Sequence, residues 1–469
     1  MLHSTFVLVL VLISISLNGQ KTVISGKAVD YSKKEISFYT IPDPVLRQKL
    51  ELGKTTVAGD GLFSVTLPIN QTIEIYTDLE KYCGTMVAEP GKNYTVTLPP
   101  FSLRTANEAH SAYFKPALYW LGLPDADRSD LNFTIRSYVS DFNHETYSNT
   151  VQIYQRKSKE VVSEIIARLQ KKYAANESSY FKTLEKYYFA ELEYVIYPLT
   201  PEVVINKYFA KEPVQVHHPD YQRAFQKIFT DFLHKQSQHI QNRRIIDITN
   251  SGNYTELVQF FENKGYKKEF AELVVLKGLN DGYYTGSFSK EGVIKAVESA
   301  QTATSSGLLR SIALQVKNNL VRLAVGGKAP AIKLNNLKNE TVTLDQFRGK
   351  FIYLSFFDSR STDCRQELDS IVSIEKKLRQ VLSVVSVSLD DNFENASKLW
   401  KEKGYPWELL NGAKQNQLIV NYKASITPAF YLIDPEGMIQ LSPAPFPSQG
   451  FEAMFTRLFR DFRFKQQRN

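Results

Sequence analysis

Cysteine is scarce in this sequence, with only Cys83 and Cys364 among 469 residues. A chain of this length with two cysteines is not held together by a disulfide framework. We interpret both as unpaired thiols, and the alternative is a Cys83–Cys364 disulfide, either permanent or transient. No cysteine follows the apolar run at the N-terminus, so we expect no lipid-attachment site there.

Long apolar runs are also lacking. The longest extends from Phe6 to Leu17 and ends in Asn18-Gly19-Gln20, which is too short to span a bilayer. We therefore predict a cleaved secretory signal at residues 1–19, with an uncleaved anchor as the alternative. The expected location is the periplasm or cell envelope, with no stable membrane insertion after the signal is removed.

Runs of a single charge are absent as well. The net charge is +8 and the pI is about 9.0, which could suggest a nucleic-acid partner. Both signs are mixed along the helical stretches, however, and no arginine-rich run occurs. We interpret the excess as solvated surface and predict no nucleic-acid partner.

Several motifs that identify enzyme classes are missing. The sequence has no phosphate loop, no dinucleotide fingerprint and no nucleophile elbow. His234 and His239 are five residues apart, whereas helical ligand pairs are three or four apart, and no cysteine or acidic residue is spaced to complete a site. We expect no cofactor and no metal.

The chain instead contains three stretches of different periodicity. With 43% hydrophobic residues it can form two or three cores. Residues 20–101 alternate like strands, residues 102–323 have helical spacing, including one helix over 221–240, and residues 324–469 alternate between the two patterns. The predicted fold class is multidomain, with an N-terminal β-sandwich, an α-helical middle domain and a C-terminal α/β domain.

The stretch around which the last domain is organised is residues 351–368. An apolar, aromatic run at 351–357 predicts a buried strand, and helical spacing begins near Arg365. Cys364 then falls in the first turn of a helix, where unpaired N–H groups favour a thiolate. Further along, residues 381–389 predict a second core strand, and residues 451–464 predict a closing amphipathic helix.

Several segments in this domain resemble the thioredoxin-like domain of the TlpA/ResA group of extracytoplasmic thiol–disulfide oxidoreductases. They are GKAP at 327–330, LDQFRGK at 344–350, the strand and helix start just described, and SITPAFYLID at 425–434. The resemblance implies a thioredoxin-like fold for the C-terminal domain. It also implies that Thr427 and Pro428 form the cis-proline loop that binds partners.

The family motif at the helix start is W-C-x-x-C, and this sequence differs from it. Cys364 matches the second, resolving cysteine, and Ser361 stands in place of the first. A serine hydroxyl is too weak an acid to act as the nucleophile in thiol–disulfide exchange, which needs a thiolate. Ser355 stands where thioredoxins often have a buried carboxylate. A two-cysteine cycle within this motif is therefore not possible.

Three hypotheses remain open for this site. In the first, the domain is a degenerate oxidoreductase that binds an envelope protein or an extended peptide in the groove beside Thr427 and Pro428. In the second, Cys364 is a working monothiol that forms mixed disulfides with a partner. Its pKa would be lowered by the helix start and by Arg360 and Arg365, and raised by Asp363.

In the third hypothesis the site is a peroxiredoxin-like peroxidase. The T-x-x-C motif of that family places a hydroxyl three residues before the thiol, as Ser361 does here relative to Cys364. Two other determinants differ, because the family proline seven residues before the cysteine is Phe357 and the activating arginine is replaced by Pro428. We rank this hypothesis third.

Overall fold

The computed structural model describes residues 20–105, 108, 114–413 and 415–466. These residues form two compact units. The first comprises the described residues up to Leu103 and Pro116–Ile312, and the second those of Arg104–Lys115 and Ala313–Asn469. The predicted signal segment at 1–19 lies outside the described residues. In the described ranges no helix combines the length and the apolar character needed to cross a membrane.

The N-terminal part of the first unit contains two sheets. Their strands are β1 (Gln20–Lys27), β2 (Glu35–Thr40), β3 (Leu50–Thr56), β4 (Leu62–Ile69), β5 (Ile73–Leu79), β6 (Tyr82–Ala88), β7 (Asn93–Val96) and β8 (Ala117–Trp120). One sheet has the order β4-β1-β7 and the other the order β3-β2-β5-β6-β8. Alternate residues of β4, such as Val65 and Leu67, share a core with Phe38 and Ile75 of the second sheet. The two sheets therefore bury one apolar layer between them.

Strand β8 lies within the stretch for which helical spacing is predicted. It pairs in parallel with β6, with Tyr82 opposite Ala117 and Thr85 opposite Trp120. The sequence of β8 does not alternate between apolar and polar residues, because even the apolar side chain of Leu118 is 59% exposed. The division into 20–101, 102–323 and 324–469 stays a prediction.

The rest of the first unit is helical. Its helices are α1 (Leu131–Ser148), α2 (Lys159–Lys172), α3 (Ser179–Ile196), α4 (Glu202–Tyr208), α5 (Pro219–Phe229), α6 (Phe232–Ser237), α7 (Arg244–Ser251), α8 (Tyr254–Glu262), α9 (Lys268–Gly282), α10 (Lys290–Ala303) and α11 (Gly307–Val321), the last of which extends into the second unit. A π-helical turn, Val151–Gln155, follows α1. The prediction of one helix over 221–240 was wrong, because Asp231 has a φ of 55° and the chain turns there.

The second unit is built around the predicted strand. Its elements are β9 (Lys333–Asn335), β10 (Thr341–Thr343), β11 (Phe351–Phe357), α12 (Thr362–Leu378), β12 (Leu382–Ser388), α13 (Phe393–Lys403), β13 (Glu408–Asn411), α14 (Asn416–Tyr422), β14 (Ala429–Ile433), β15 (Ile439–Leu441) and α15 (Phe451–Gln466). The main sheet has the order β13-β12-β11-β14-β15, with β11 parallel to β12 and antiparallel to β14. The predictions for the central strand, the second strand and the closing helix are confirmed.

Strand β11 is buried on both faces, which explains its continuous apolar pattern. Phe351 and Tyr353 belong to one core, with side chains of α12 and α15. Ile352 and Leu354 belong to a second core on the opposite face. Apolar side chains cover this sheet on both sides, as expected for a thioredoxin-like domain. The sheet also fixes the position of the carboxyl end of β11, where the site begins.

Candidate functional site

Cys364 is the third residue of helix α12, and Ser361 is its N-cap. The Ser361 hydroxyl oxygen accepts a hydrogen bond from the backbone N–H of Cys364 at 3.3 Å. A serine cap satisfies one of the N–H groups that have no partner within the helix. The side chain of Cys364 points inward and is fully buried in the core that also contains Phe357 and Leu368.

Three groups near the thiol act on its pKa as hydrogen-bond donors. They are the hydroxyls of Ser361 and Thr427 and the backbone N–H of Asp358. The peptide bond between Thr427 and Pro428 is cis, as the family resemblance implies. The structure therefore brings together Cys364, Ser361 and the Thr427–Pro428 loop, which are distant in sequence.

The pKa of Cys364 is raised above its ordinary value. Burial is the main cause, the three hydrogen bonds oppose it, and the Asp358 carboxylate raises the pKa further. The sequence predicts that the helix start and the two arginines lower this pKa and that Asp363 raises it, but burial of the sulfur decides the direction. The carboxylate that acts on the thiol is that of Asp358, whereas Asp363 is exposed in the first turn of α12.

The two predicted arginines make local contacts. Arg360 binds the Asp358 carboxylate through Nε at 3.0 Å and Nη2 at 2.7 Å, and it lies 3.8 Å from Asp391. Asp358 raises the pKa of Arg360 mainly through these hydrogen bonds. Arg365 reaches the Thr362 hydroxyl at 3.5 Å. The guanidinium of Arg360 therefore links the two ends of the short turn that precedes the helix, by its hydrogen bonds to Asp358.

Two buried carboxylates beside this turn were not predicted. Asp390 is fully buried and accepts hydrogen bonds from the backbone N–H and the hydroxyl of Ser359 and from the hydroxyl of Ser388. Asp358 is the second. The sequence contains a signal for both residues, because each aspartate follows one of two neighbouring parallel strands. The carboxyl ends of such strands meet at one edge of a sheet.

Three uncharged side chains linked by hydrogen bonds lie at the position where thioredoxins often have a carboxylate. Ser355 on β11 is fully buried, and its hydroxyl lies 2.7 Å from that of Ser386 on β12. The indole N–H of Trp407 donates to the Ser386 hydroxyl at 2.9 Å. Each of these three polar groups has a partner, and none of them carries a charge.

No cluster of three or more His, Cys, Asp or Glu side chains that could bind a metal ion is found in the described part of the chain. The expectation that the protein needs no metal and no cofactor stays a prediction. The chemistry that the site offers is that of one buried thiol and its hydroxyl neighbours.

Comparison with known proteins identifies the same domain. Residues 325–442 match the model of the AhpC/TSA family. Thioredoxin-like protein YneN of Bacillus subtilis is 27% identical over 125 residues, which are 26% of this chain and 71% of that protein. Thiol-disulfide oxidoreductase ResA of Geobacillus thermodenitrificans is 25% identical over 121 residues, which are 25% of this chain and 68% of that protein.

Solved structures are also similar to part of the chain. The thioredoxin domain of a thiol-disulfide oxidoreductase from Bacteroides vulgatus has 24% identity and a TM-score of 0.27, with 29% of this chain and 97% of that chain covered. A thiol:disulfide interchange protein from a Bacteroides species has 27% identity and a TM-score of 0.26, with 29% and 88% covered. Residues 325–442 are therefore similar to the AhpC/TSA family, and two curated relatives of part of the chain are a thioredoxin-like protein and a thiol-disulfide oxidoreductase.

Proposed function

We propose that this protein is an exported, degenerate thiol-disulfide oxidoreductase homologue whose thioredoxin-like domain binds an envelope protein or peptide. The partner is an extended segment lying beside Thr427 and Pro428, held by backbone hydrogen bonds. Export is proposed from the apolar segment at residues 1–19. The activity of the relatives is not carried over, because their reaction needs a thiolate nucleophile.

One observation carries this proposal: the group three residues before Cys364 is a serine hydroxyl engaged as a helix cap. Exchange starts with a thiolate at that position, and a hydroxyl stays protonated at neutral pH. The remaining thiol is buried and its pKa is raised, so it is a poor substitute for the missing nucleophile.

The groove retains an exposed apolar contact for a partner. Ile426, immediately before Thr427, is 59% exposed. A large apolar side chain kept at the rim of a peptide groove adds contact area once a partner covers it.

A second candidate, the monothiol, is favoured by the hydrogen bonds to Cys364. The backbone N–H of Asp358 and the hydroxyls of Ser361 and Thr427 would all stabilise a thiolate once a partner or a loop movement exposed the sulfur. The peroxidase hypothesis has less support, because Phe357 and Pro428 stand at the positions of the family proline and the activating arginine.

Peptide selection separates binding from monothiol chemistry. Peptides selected on the Cys83→Ser protein should lose affinity for Ile426→Asp and keep it for Cys364→Ala. A matched control is Val372→Asp, which places the same charge at a 41% exposed site on α12. If Cys364→Ala abolishes capture and a reductant releases the peptides, the monothiol replaces the binding proposal.

A further inference from the structure

A cleft of about 340 Å³ opens in the helical part of the first unit, between α1, α3, α5 and the π-helical turn. Its volume is at the lower end of the range for small-molecule sites. One side of the cleft is apolar or aromatic, formed by Phe142, Tyr154, Tyr188, Leu192 and Val195. The cleft shares no residue with the thiol site.

Arg223 lies at the polar side and is held in one orientation. Its Nε donates to Glu191 at 2.5 Å, and its Nη1 donates to Asp220 at 2.5 Å. The guanidinium also stacks over the Tyr188 ring, 4.3 Å from its centroid. Asp220 is buried, yet the Arg223 side chain is 43% exposed. A guanidinium that is held through Nε and Nη1 and is still partly exposed is pre-organised to donate further hydrogen bonds to a ligand such as a carboxylate.

Lys227 supplies a second donor one helical turn after Arg223. Its Nζ is 3.6 Å from Glu191, and its side chain is 42% exposed. That separation is longer than a hydrogen bond between charged groups, so the ammonium can turn toward a ligand at small cost. The two cations and the carboxylates of Glu191 and Asp220 sum to zero charge. Selectivity then depends on directed hydrogen bonds rather than on net charge.

The π-helical turn that lines the cleft has an unusual backbone. Residues Val151–Gln155 form a π-helical turn, a rare conformation that occurs often at functional sites. Tyr154 of this turn lines the cleft while remaining 51% exposed. Ile153, beside it, is fully buried and anchors the turn. A ring held at the rim in this way can cover the apolar part of a ligand.

We propose that this cleft binds a small carboxylate that carries an aromatic group. The carboxylate bonds to Arg223 and Lys227, and the ring packs against Phe142 and Tyr154. A free aromatic acid and the C-terminus of a peptide ending in an aromatic residue share this chemistry. The site is independent of the proposed function of the thioredoxin-like domain.

Isothermal titration of the full chain with N-acetyl-L-phenylalanine tests the proposal. The acid should bind at least about tenfold more tightly than N-acetyl-L-phenylalaninamide, because the amide lacks the charged acceptor. Lys227→Gln and Tyr154→Ala should each weaken the acid roughly fivefold. Lys182→Gln removes the same charge from an exposed position on α3 outside the cleft and should leave binding unchanged.

A second arm distinguishes the two sources. Tighter binding of the tripeptide glycyl-glycyl-phenylalanine than of the N-acetyl acid supports a peptide C-terminus, and the reverse order supports a free acid. Absence of acid binding, equal binding of acid and amide, or equal effects of Lys227→Gln and Lys182→Gln overturns the proposal. Circular dichroism of each variant verifies that it is folded.

Discussion

The hydroxyl of Ser361 and the backbone N–H of Cys364 are joined by a 3.3 Å hydrogen bond that begins helix α12. The serine therefore performs a structural task at the position where the resembling family has its attacking sulfur. Because the cap is intact, Ser361 supports the start of the helix, and we propose that it stands there in place of the attacking cysteine. Four predictions follow from this site and from the buried charges of the chain.

The thiol of Cys364 should react slowly in the folded protein. In a Cys83→Ser background, iodoacetamide labelling should stay slow until the pH exceeds the ordinary thiol value of about 8.5, because burial raises the pKa of Cys364. Mass spectrometry of samples labelled at several pH values between about 6 and about 10 measures the labelling rate. The same protein in denaturant is the control, and rapid labelling of the folded form at neutral pH would contradict the prediction.

Replacing the cap with cysteine should restore a dithiol. Ser361→Cys is expected to turn an inactive protein into one that catalyses insulin reduction by dithiothreitol, because both sulfurs then occupy the W-C-x-x-C spacing. Ser361→Ala is the matched control: it should stay inactive and lose about 1 kcal/mol of stability with the cap. Turnover by the unaltered chain would refute the proposed loss of exchange activity.

Asp390 should be far more important for stability than its neighbour Asp391. Asp390→Ala leaves the N–H and hydroxyl of Ser359 and the hydroxyl of Ser388 without their acceptor, at a cost of about 1–3 kcal/mol. Asp391, whose side chain is 92% exposed, is the control, and its alanine variant should change stability by less than about 0.5 kcal/mol. Urea unfolding measures both. Equal effects would show that the buried contacts contribute nothing.

Glu74 on β5 should make stability depend on pH. Burial raises its pKa from 4.5 to about 7, although the hydroxyls of Thr85 and Tyr76 donate to it and oppose the shift, and Asp220 adds to it. The folded state then holds this proton more tightly than the unfolded state. The contribution of Glu74 to stability is therefore greatest below the unfolded pKa, and it is lost as pH rises through the folded pKa.

The Glu74→Gln variant isolates this effect. Its unfolding free energy should lack the decline that the parent shows between pH 4.5 and 7, a difference on the order of 3 kcal/mol at most. Denaturant unfolding at several pH values measures it, with Glu51→Gln on the exposed edge strand β3 as the control. Parallel pH profiles of the parent and Glu74→Gln would contradict the prediction.

Patterns of local periodicity predict much of the second unit. Strand β11 is identifiable because it is buried on both faces, and helix α12 because its apolar residues recur at helical spacing. The pKa direction of Cys364 could not be predicted in this way. Proximity in sequence to Arg360 suggests a lowered value, whereas the burial of the sulfur depends on side chains from distant strands and helices.

Parts of the first unit could not be predicted, because contacts between distant residues determine the backbone there and local periodicity does not. The sequence at 221–240 is continuously amphipathic, yet Asp231 takes a left-handed conformation there. Its backbone N–H donates to the carboxylate of Asp281, on a helix about fifty residues later, and that contact has no signature in the local sequence. Strand β8 was missed for a similar reason, because its edge position leaves Leu118 exposed.

The hydrogen bond from Trp407 to Ser386 has a spectroscopic use. The chain has three tryptophans, and two of them, Trp400 and Trp407, are buried together in one core of the second unit, with ring centroids 5.7 Å apart. Trp120 belongs to the first unit. Intrinsic fluorescence therefore reports mainly on the thioredoxin-like domain, and Trp120→Phe would leave an optical probe of that domain's unfolding in the intact chain.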